Sequence, residues 1–204
     1  VDFTLRAGEI HSLMGENGAG KSTLVKVLTG VYQKDGGTTH LDGREISPLT
    51  PKQAQESGIS TVYQEVNLCA NLSVAENIFI GREPRKYGFI DWKTINRRSE
   101  ELLAMLNIDI DVTKTLDNYS VAIQQMIAIA RAVDVEAKIL ILDEPTSSLD
   151  ENETRKLFEI IRILQKRGMG IIFISHFLEQ IYELCDHITV LRNGELVGSY
   201  EVAK

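Results

Sequence analysis

The sequence predicts an α/β fold: a mainly parallel sheet covered on both faces, with an antiparallel β piece and an inserted α-helical subdomain. Three observations predict it. Near-continuous apolar runs at 9–14, 138–142 and 170–174 read as strands buried on both sides. Amphipathic helical segments alternate with them, the order of parallel strands joined by crossover helices. Between residues 67 and 136 no strand pattern persists and helical periodicity takes over.

Residues 1–5, Val-Asp-Phe-Thr-Leu, alternate and read as a strand, and the domain is expected to begin upstream of them. The run 9–14 leads into Gly15-Glu16-Asn17-Gly18-Ala19-Gly20, followed by a helical stretch 21–29 that Gly30 can close. Residues 38–46 alternate around Asp42-Gly43, a tight-hairpin dipeptide, which places an antiparallel piece beside the first strand. Residues 59–63 form a further strand that ends at Gln64. Within the insertion the helices fall at 73–79, 92–106 and 123–133.

After the strand 138–142, Asp150 caps a helix whose Leu157, Ile160, Ile161 and Leu164 recur at helical spacing until Gly168. The strand 170–174, a helix over 177–184 and a hairpin over 187–200 turning at Asn193-Gly194 complete the chain. The division is therefore a core of 1–66 and 137–204 interrupted by a helical subdomain, 67–136.

A chain of 204 residues can bury about 70% of its unfolded surface, enough for a core without staples. Hydrophobic residues at 43% and charged residues at 25% fit an ordinary globular protein. The net charge is −7 and no basic stripe with interleaved aromatics is evident, so nucleic acid is not expected as a partner. Cys69 and Cys185 lie far apart without a C-x-x-C pattern; they read as small buried or half-buried thiols in a reducing cytoplasm. The longest aliphatic stretches, such as 139–142 and 171–174, are far too short to span a bilayer.

Gly15-x-x-x-x-Gly20-Lys21-Ser22 fits a phosphate-cradling loop between a strand and a helix. In such a loop residues 15 to 20 (Gly15, Glu16, Asn17, Gly18, Ala19, Gly20) wrap phosphate oxygens with backbone N–H groups. Lys21 reaches the β- and γ-phosphates, Ser22 places its hydroxyl on Mg²⁺, and Thr23 holds the α-phosphate. Residues 139–144, Ile-Leu-Ile-Leu-Asp-Glu, supply a carboxylate for the metal, Asp143, and a second one, Glu144, to polarise a water for in-line attack. An acidic pair after an apolar strand is by itself a common way to begin a loop; beside the glycine-rich loop it reads as chemistry. Gln64 and His176 gain meaning only from their order: glycine-rich loop, Gln, Ser-x-x-x-Gln, apolar-Asp-Glu, Ser-Leu-Asp, His. The glycine-rich loop, Gln64, the Asp143-Glu144 pair and His176 each come after a different strand, and ligands of parallel sheets bind beyond the carboxyl ends of strands.

With these motifs the chain resembles the nucleotide-binding domains of ABC transporters, over almost its full length. The resemblance implies a P-loop NTPase core of RecA-like type that binds ATP and Mg²⁺ and hydrolyses ATP. Gln64 then corresponds to the residue that touches Mg²⁺ and the attacking water, and Asp143 and Glu144 to the metal and base carboxylates. His176 corresponds to the histidine that contacts the γ-phosphate, and Ser148-Leu149-Asp150 to a loop crossing a dimer interface. The helical segment matches the part that docks on membrane partners.

One family element departs from its pattern. Where Leu-Ser-Gly-Gly-Gln is usual, this chain has Tyr119-Ser120-Val121-Ala122-Ile123-Gln124. β-Branched Val121, with Ala122, brings bulk where close backbone approach is needed, so poor binding of a partner's nucleotide is expected. Ser-Val-Ala-x-Gln-Gln together with Val62-Tyr63-Gln64-Glu65 resembles the first half of tandem monosaccharide-importer ATPases, nearest to the galactofuranose type. That implies a second ATP-binding cassette in one polypeptide, transmembrane permease subunits, a periplasmic sugar-binding protein, and a peripheral position at the cytoplasmic face of a bacterial inner membrane. An aromatic residue that stacks on adenine would precede Val1, so weak activity is expected of these residues alone. The competing readings are a nucleotide-binding regulatory half without hydrolysis and an ABC ATPase acting on DNA or ribosomes.

Overall fold

The computed structural model describes residues 1–63 and 68–203. Along the chain these form β1 (Ile10–Met14), α1 (Lys21–Leu28), β2 (Thr39–Leu41), β3 (Arg44–Ile46), α2 (Pro51–Glu56), β4 (Ile59–Val62), α3 (Val74–Phe79), β5 (Arg85–Lys86), β6 (Phe89–Ile90), α4 (Trp92–Met105), α5 (Val121–Asp134), β7 (Ile139–Asp143), α6 (Glu151–Lys166), β8 (Gly170–Ile174), α7 (Leu178–Leu184), β9 (His187–Arg192) and β10 (Glu195–Glu201), with one 3₁₀ turn at Leu116–Asn118. The main sheet has the order β10-β9-β1-β8-β7-β4. Every neighbouring pair is parallel except β9 and β10, which form the antiparallel edge.

Strand alternation divides the core in two. Leu140, Leu142, Ile171 and Phe173 point into one apolar cluster, and Ile141, Ile172 and Ile174 into the other. The first is closed by α3 through α7 and the second by α1, α2 and the β2–β3 hairpin, so β7 and β8 are buried on both faces. Helix α6 shows how sequence sets the packing: Asp150 accepts from the Glu153 amide, Glu153 answers with its carboxylate on the Asp150 amide, and Leu157, Phe158, Ile160, Ile161 and Leu164 line the buried stripe.

The order β1-β8-β7 positions the site. The carboxyl ends of these strands lie side by side, with Asp143 opposite Ile174 in the ladder. The loops that leave β1, β7 and β8 must therefore emerge on one edge.

Four expectations are corrected. Residues 1–5 form no strand; Phe3 and Leu5 pack against the second cluster, so the alternation reflects side-chain burial without a backbone ladder. The β2–β3 hairpin makes its own two-stranded sheet rather than lying beside β1, whose two edges are taken by β8 and β9. The stretch 67–136 is not purely helical, since β5 and β6 pair around Tyr87-Gly88. Cys69 is exposed rather than buried, while Cys185 is buried as expected.

Leu140, the second residue of β7, is fully buried. Leu140→Ala is expected to lower stability by about 2–5 kcal/mol, read as a lower urea midpoint at unchanged slope.

Candidate functional site

The turn after β1 is built from backbone approach. Gly15 has φ 153°, and a Cβ on it would stand 2.4 Å from the Leu191 carbonyl oxygen and 2.7 Å from the Ala19 Cβ. Gly20, φ 103°, is the N-cap of α1; a Cβ there would sit 3.2 Å from the Gly194 Cα. The Gly194 amide donates to the Ala19 carbonyl at 3.0 Å, so the β9–β10 turn braces the loop from behind. Residues 16–18 and the hydroxyl-bearing Ser22 and Thr23 are exposed or half-buried on the open side.

No side chain caps α1, and its first turn carries no acidic residue. The amides of residues 21–23 have no intrahelical acceptor, so a ring of donors and the positive end of a helix face the same opening. Lys21 Nζ donates to the carbonyls of Gly15 at 2.6 Å and Glu16 at 3.2 Å. The ammonium thus lies across the loop, held by neutral acceptors that phosphate oxygens can replace with charge-assisted ones.

Across the opening, Asp143 ends β7 and Glu144 begins the turn after it. Glu144 adopts φ 50° and its amide donates to Ile174 at 2.9 Å, so the β7–β8 ladder is extended by one bond while the side chain swings out. Burial pushes the Asp143 carboxyl above the usual aspartate range; the neighbouring Glu144 charge pushes the same way and the Lys21 ammonium opposes both. That opposition puts Lys21 and Asp143 within electrostatic reach. His176, two residues beyond Ile174, donates from Nδ1 to Glu144 Oε2 at 2.8 Å.

One arrangement behind this dyad escaped sequence reading. Gln180 Oε1 accepts from Thr146 Oγ1 at 2.6 Å and Ser175 Oγ at 3.2 Å, and Ser175 Oγ accepts from the Phe177 amide at 3.1 Å. The loop after Glu144 and the turn bearing His176 are thereby tied through one amide oxygen. No motif marks Gln180; the signal available was only a Thr and a Ser placed just after two apolar strands.

Ser120 caps α5, accepting from the Ile123 amide. Val121 is exposed, Ala122 is buried, and Gln124 Nε2 donates back to the Tyr119 carbonyl at 3.0 Å. Ser120 Oγ donates to Glu153 Oε1 at 3.4 Å, which links this helix start to the Asp150 cap of α6. Ser148 and Asp150 are exposed on that same turn. Gln64 lies outside the described residues.

Among the described residues no cluster of three or more His, Cys, Asp or Glu could hold a metal alone. A hard cation that keeps waters and shares phosphate oxygens needs only one or two protein oxygens. Asp143 with the exposed Ser22 hydroxyl is such a donor set, so these residues fit Mg²⁺ delivered with a polyphosphate.

The family model described as "ABC transporter" matches residues 1–147. The galactofuranose transporter ATP-binding protein YtfR of Escherichia coli (strain K12) is 55% identical over 204 residues, 100% of this chain and 41% of that protein. The fructose import ATP-binding protein FruK of Bifidobacterium longum (strain NCC 2705) is 52% identical over 198 residues, covering 97% of this chain and 39% of that protein. The chain thus spans about two fifths of the length of these relatives. Among solved structures, a nucleotide-free ATP-binding cassette from an ABC transporter superposes with a TM-score of 0.87 at 21% identity, over 98% of this chain and 83% of that one, which establishes the fold.

Gly15→Ala is expected to destabilise the chain, because the new methyl meets a backbone carbonyl that cannot rotate away; a lower melting temperature checks it. Asp143 has a folded pKa raised above the ordinary 3.8, so its ionised form costs stability at neutral pH. That cost vanishes as pH falls through the folded pKa toward 3.8. Asp143→Asn is therefore expected to raise the melting temperature of the nucleotide-free protein at pH 7, with the advantage shrinking in acid.

Proposed function

The chain belongs to the ABC transporter family, and from that premise we propose that it is the ATP-binding and ATP-hydrolysing domain that powers sugar import. The observation that carries this reading is convergence. The donor ring at the start of α1, the Lys21 ammonium, the half-buried Asp143 carboxyl and the Glu144–His176 pair all border one opening at the carboxyl ends of β1, β7 and β8.

In this reading Lys21 leaves the carbonyls of Gly15 and Glu16 for the β- and γ-phosphates, and Thr23 takes the α-phosphate. Ser22, Asp143 and Gln64 would hold Mg²⁺, which when bound neutralises phosphate charge. Glu144 orients the attacking water and takes its proton as the water oxygen bonds to the γ-phosphorus and the β–γ bridge breaks. His176, anchored through Nδ1, keeps Nε2 free for the γ-phosphate. Gln180 positions His176 against the loop after Glu144 without touching substrate.

The domain division rests on the same premise: residues 1–66 and 137–204 form the P-loop core, and 67–136 the subdomain that docks on permease subunits. We place the chain in a longer tandem-cassette protein, peripheral at the cytoplasmic face of the bacterial inner membrane, served by a sugar-binding protein outside. The 41% coverage of YtfR supports a polypeptide with room for a second cassette. Val121 and Ala122 support asymmetry: this P-loop would close against a regular signature in the other cassette, whereas the Ser120 helix start contacts a partner nucleotide poorly.

Glu144→Gln in the full-length protein is expected to keep ATP binding and to slow phosphate release by about 10²–10⁴-fold, while Lys21→Ala loses binding itself. Single-turnover release and nucleotide binding measured side by side check both. Unchanged release in Glu144→Gln would remove it as base, and undiminished binding in Lys21→Ala would remove the phosphate cradle.

A further inference from the structure

The β5–β6 hairpin has no role in the nucleotide site, yet it concentrates exposed aromatic rings and cations in one place. Arg85 pairs with Ile90 and Lys86 with Phe89 across an antiparallel register of two residues per strand. Each face of the hairpin therefore carries one cation and one apolar side chain. Tyr87 is 90% exposed, Phe89 79% and Trp92, at the foot of the hairpin, 48%. Large side chains left this open require an explanation when they cluster.

The backbone at the tip is equally unusual. Tyr87 and Gly88 both have positive φ, 53° and 86°, the pattern of a tight I′ hairpin turn. Asn, Asp or Gly suit the first of these positions; a bulky aromatic is an outlier there. The chain accepts that conformation while presenting the tyrosine ring at the tip.

Charge selects the occupant. Residues 82–98 hold six of the 22 Lys and Arg but only two of the 29 Asp and Glu, on a chain of net charge −7, which corrects the expectation that no basic stretch with interleaved aromatics exists. The two acids are engaged locally, Glu83 by the Gly81 amide and Asp91 by Thr94, while Arg82 and Arg98 both pair with Asp134. Among the described residues no carboxylate forms an ion pair with Arg85, Lys86 or Lys93. The two-residue tip presents exposed aromatic rings beside cations that lack a carboxylate partner, with the Lys86 ammonium 5.8 Å from the Tyr87 ring centroid. A headgroup layer moulds around such rings, and Tyr and Trp favour that boundary. Anionic headgroups meet the free cations.

We propose that the β5–β6 hairpin is a membrane-surface contact, with Tyr87, Phe89 and Trp92 seated among the headgroups of an anionic bilayer and Arg85, Lys86 and Lys93 facing lipid phosphates. The contact is independent of ATP chemistry, so vesicle binding and phosphate release can fail separately.

The test is co-sedimentation of the full-length protein with phosphatidylcholine vesicles, with and without one third phosphatidylglycerol. Binding is expected on the anionic vesicles, weakening with salt. Neutralising two cations in Arg85→Gln/Lys86→Gln is expected to reduce partitioning about thirtyfold. Tyr87→Ser/Phe89→Ser is expected to lose binding while keeping its melting temperature, because both side chains are exposed. Absence of sedimentation with anionic vesicles overturns the proposal, as does equal binding by either variant. So does a parent that ignores vesicles while Arg85→Gln/Lys86→Gln loses co-purification with the permease, which would assign the hairpin to an acidic protein surface.

Discussion

The approach of Gly15 to the Leu191 carbonyl is the contact on which the site depends. A Cβ at that position would overlap both the carbonyl and Ala19, so only a bare backbone lets the loop fold back against the β9–β10 turn. With the loop held there, the first amides of α1 and the Lys21 ammonium face one opening. Nothing in the local sequence of the loop supplies this brace; it comes from a hairpin more than 170 residues further along the chain.

Electrostatics across the opening is arranged with opposed signs. The α1 terminus and Lys21 are positive, whereas Asp143 and Glu144 sit one after another at the end of a strand buried on both faces. Burial favours the protonated form of Asp143; the lysine works against that, and a bound cation would work further against it. The nucleotide-free site is thus poised: its carboxyl is costly when ionised and its lysine rests on neutral carbonyls. A polyphosphate bound with its cation would relieve the cost at Asp143 and replace the lysine's neutral acceptors with charged ones.

The turns around the opening are linked rather than independent. Asp143 is registered to Ile174, Glu144 donates to the same residue, and His176 returns to Glu144. Gln180 joins the Thr146 loop to Ser175, and Glu153 joins the caps of α5 and α6. Short hydrogen-bonded steps therefore run from the Glu144–His176 pair through Thr146 and Leu149 to the exposed Ser148–Asp150 turn and, through Glu153, to the Ser120 helix start.

Sequence alone determined most of the elements and marked the candidate residues at their ends. The unbroken apolar runs 139–142 and 171–174, the 3.6-residue recurrence in 157–164 and the Asp150 cap are local signals, set by neighbours a few residues away. Gly15 to Ser22, Asp143 and Glu144 were legible as candidates for the same reason, because the proposed chemistry requires their spacing. Tertiary structure decided what depends on distant partners. Residues 1–5 alternate like a strand yet find no ladder, and Asp42-Gly43 turns a hairpin that stands apart from β1 because both edges of β1 are occupied. The Tyr87-Gly88 turn was hidden since tyrosine is a poor predictor of positive φ, and Gln180 was invisible because its two partners meet it only in space. Side-chain periodicity records which face is buried, but strand pairing is settled by which backbone edges remain free once the whole sheet has assembled.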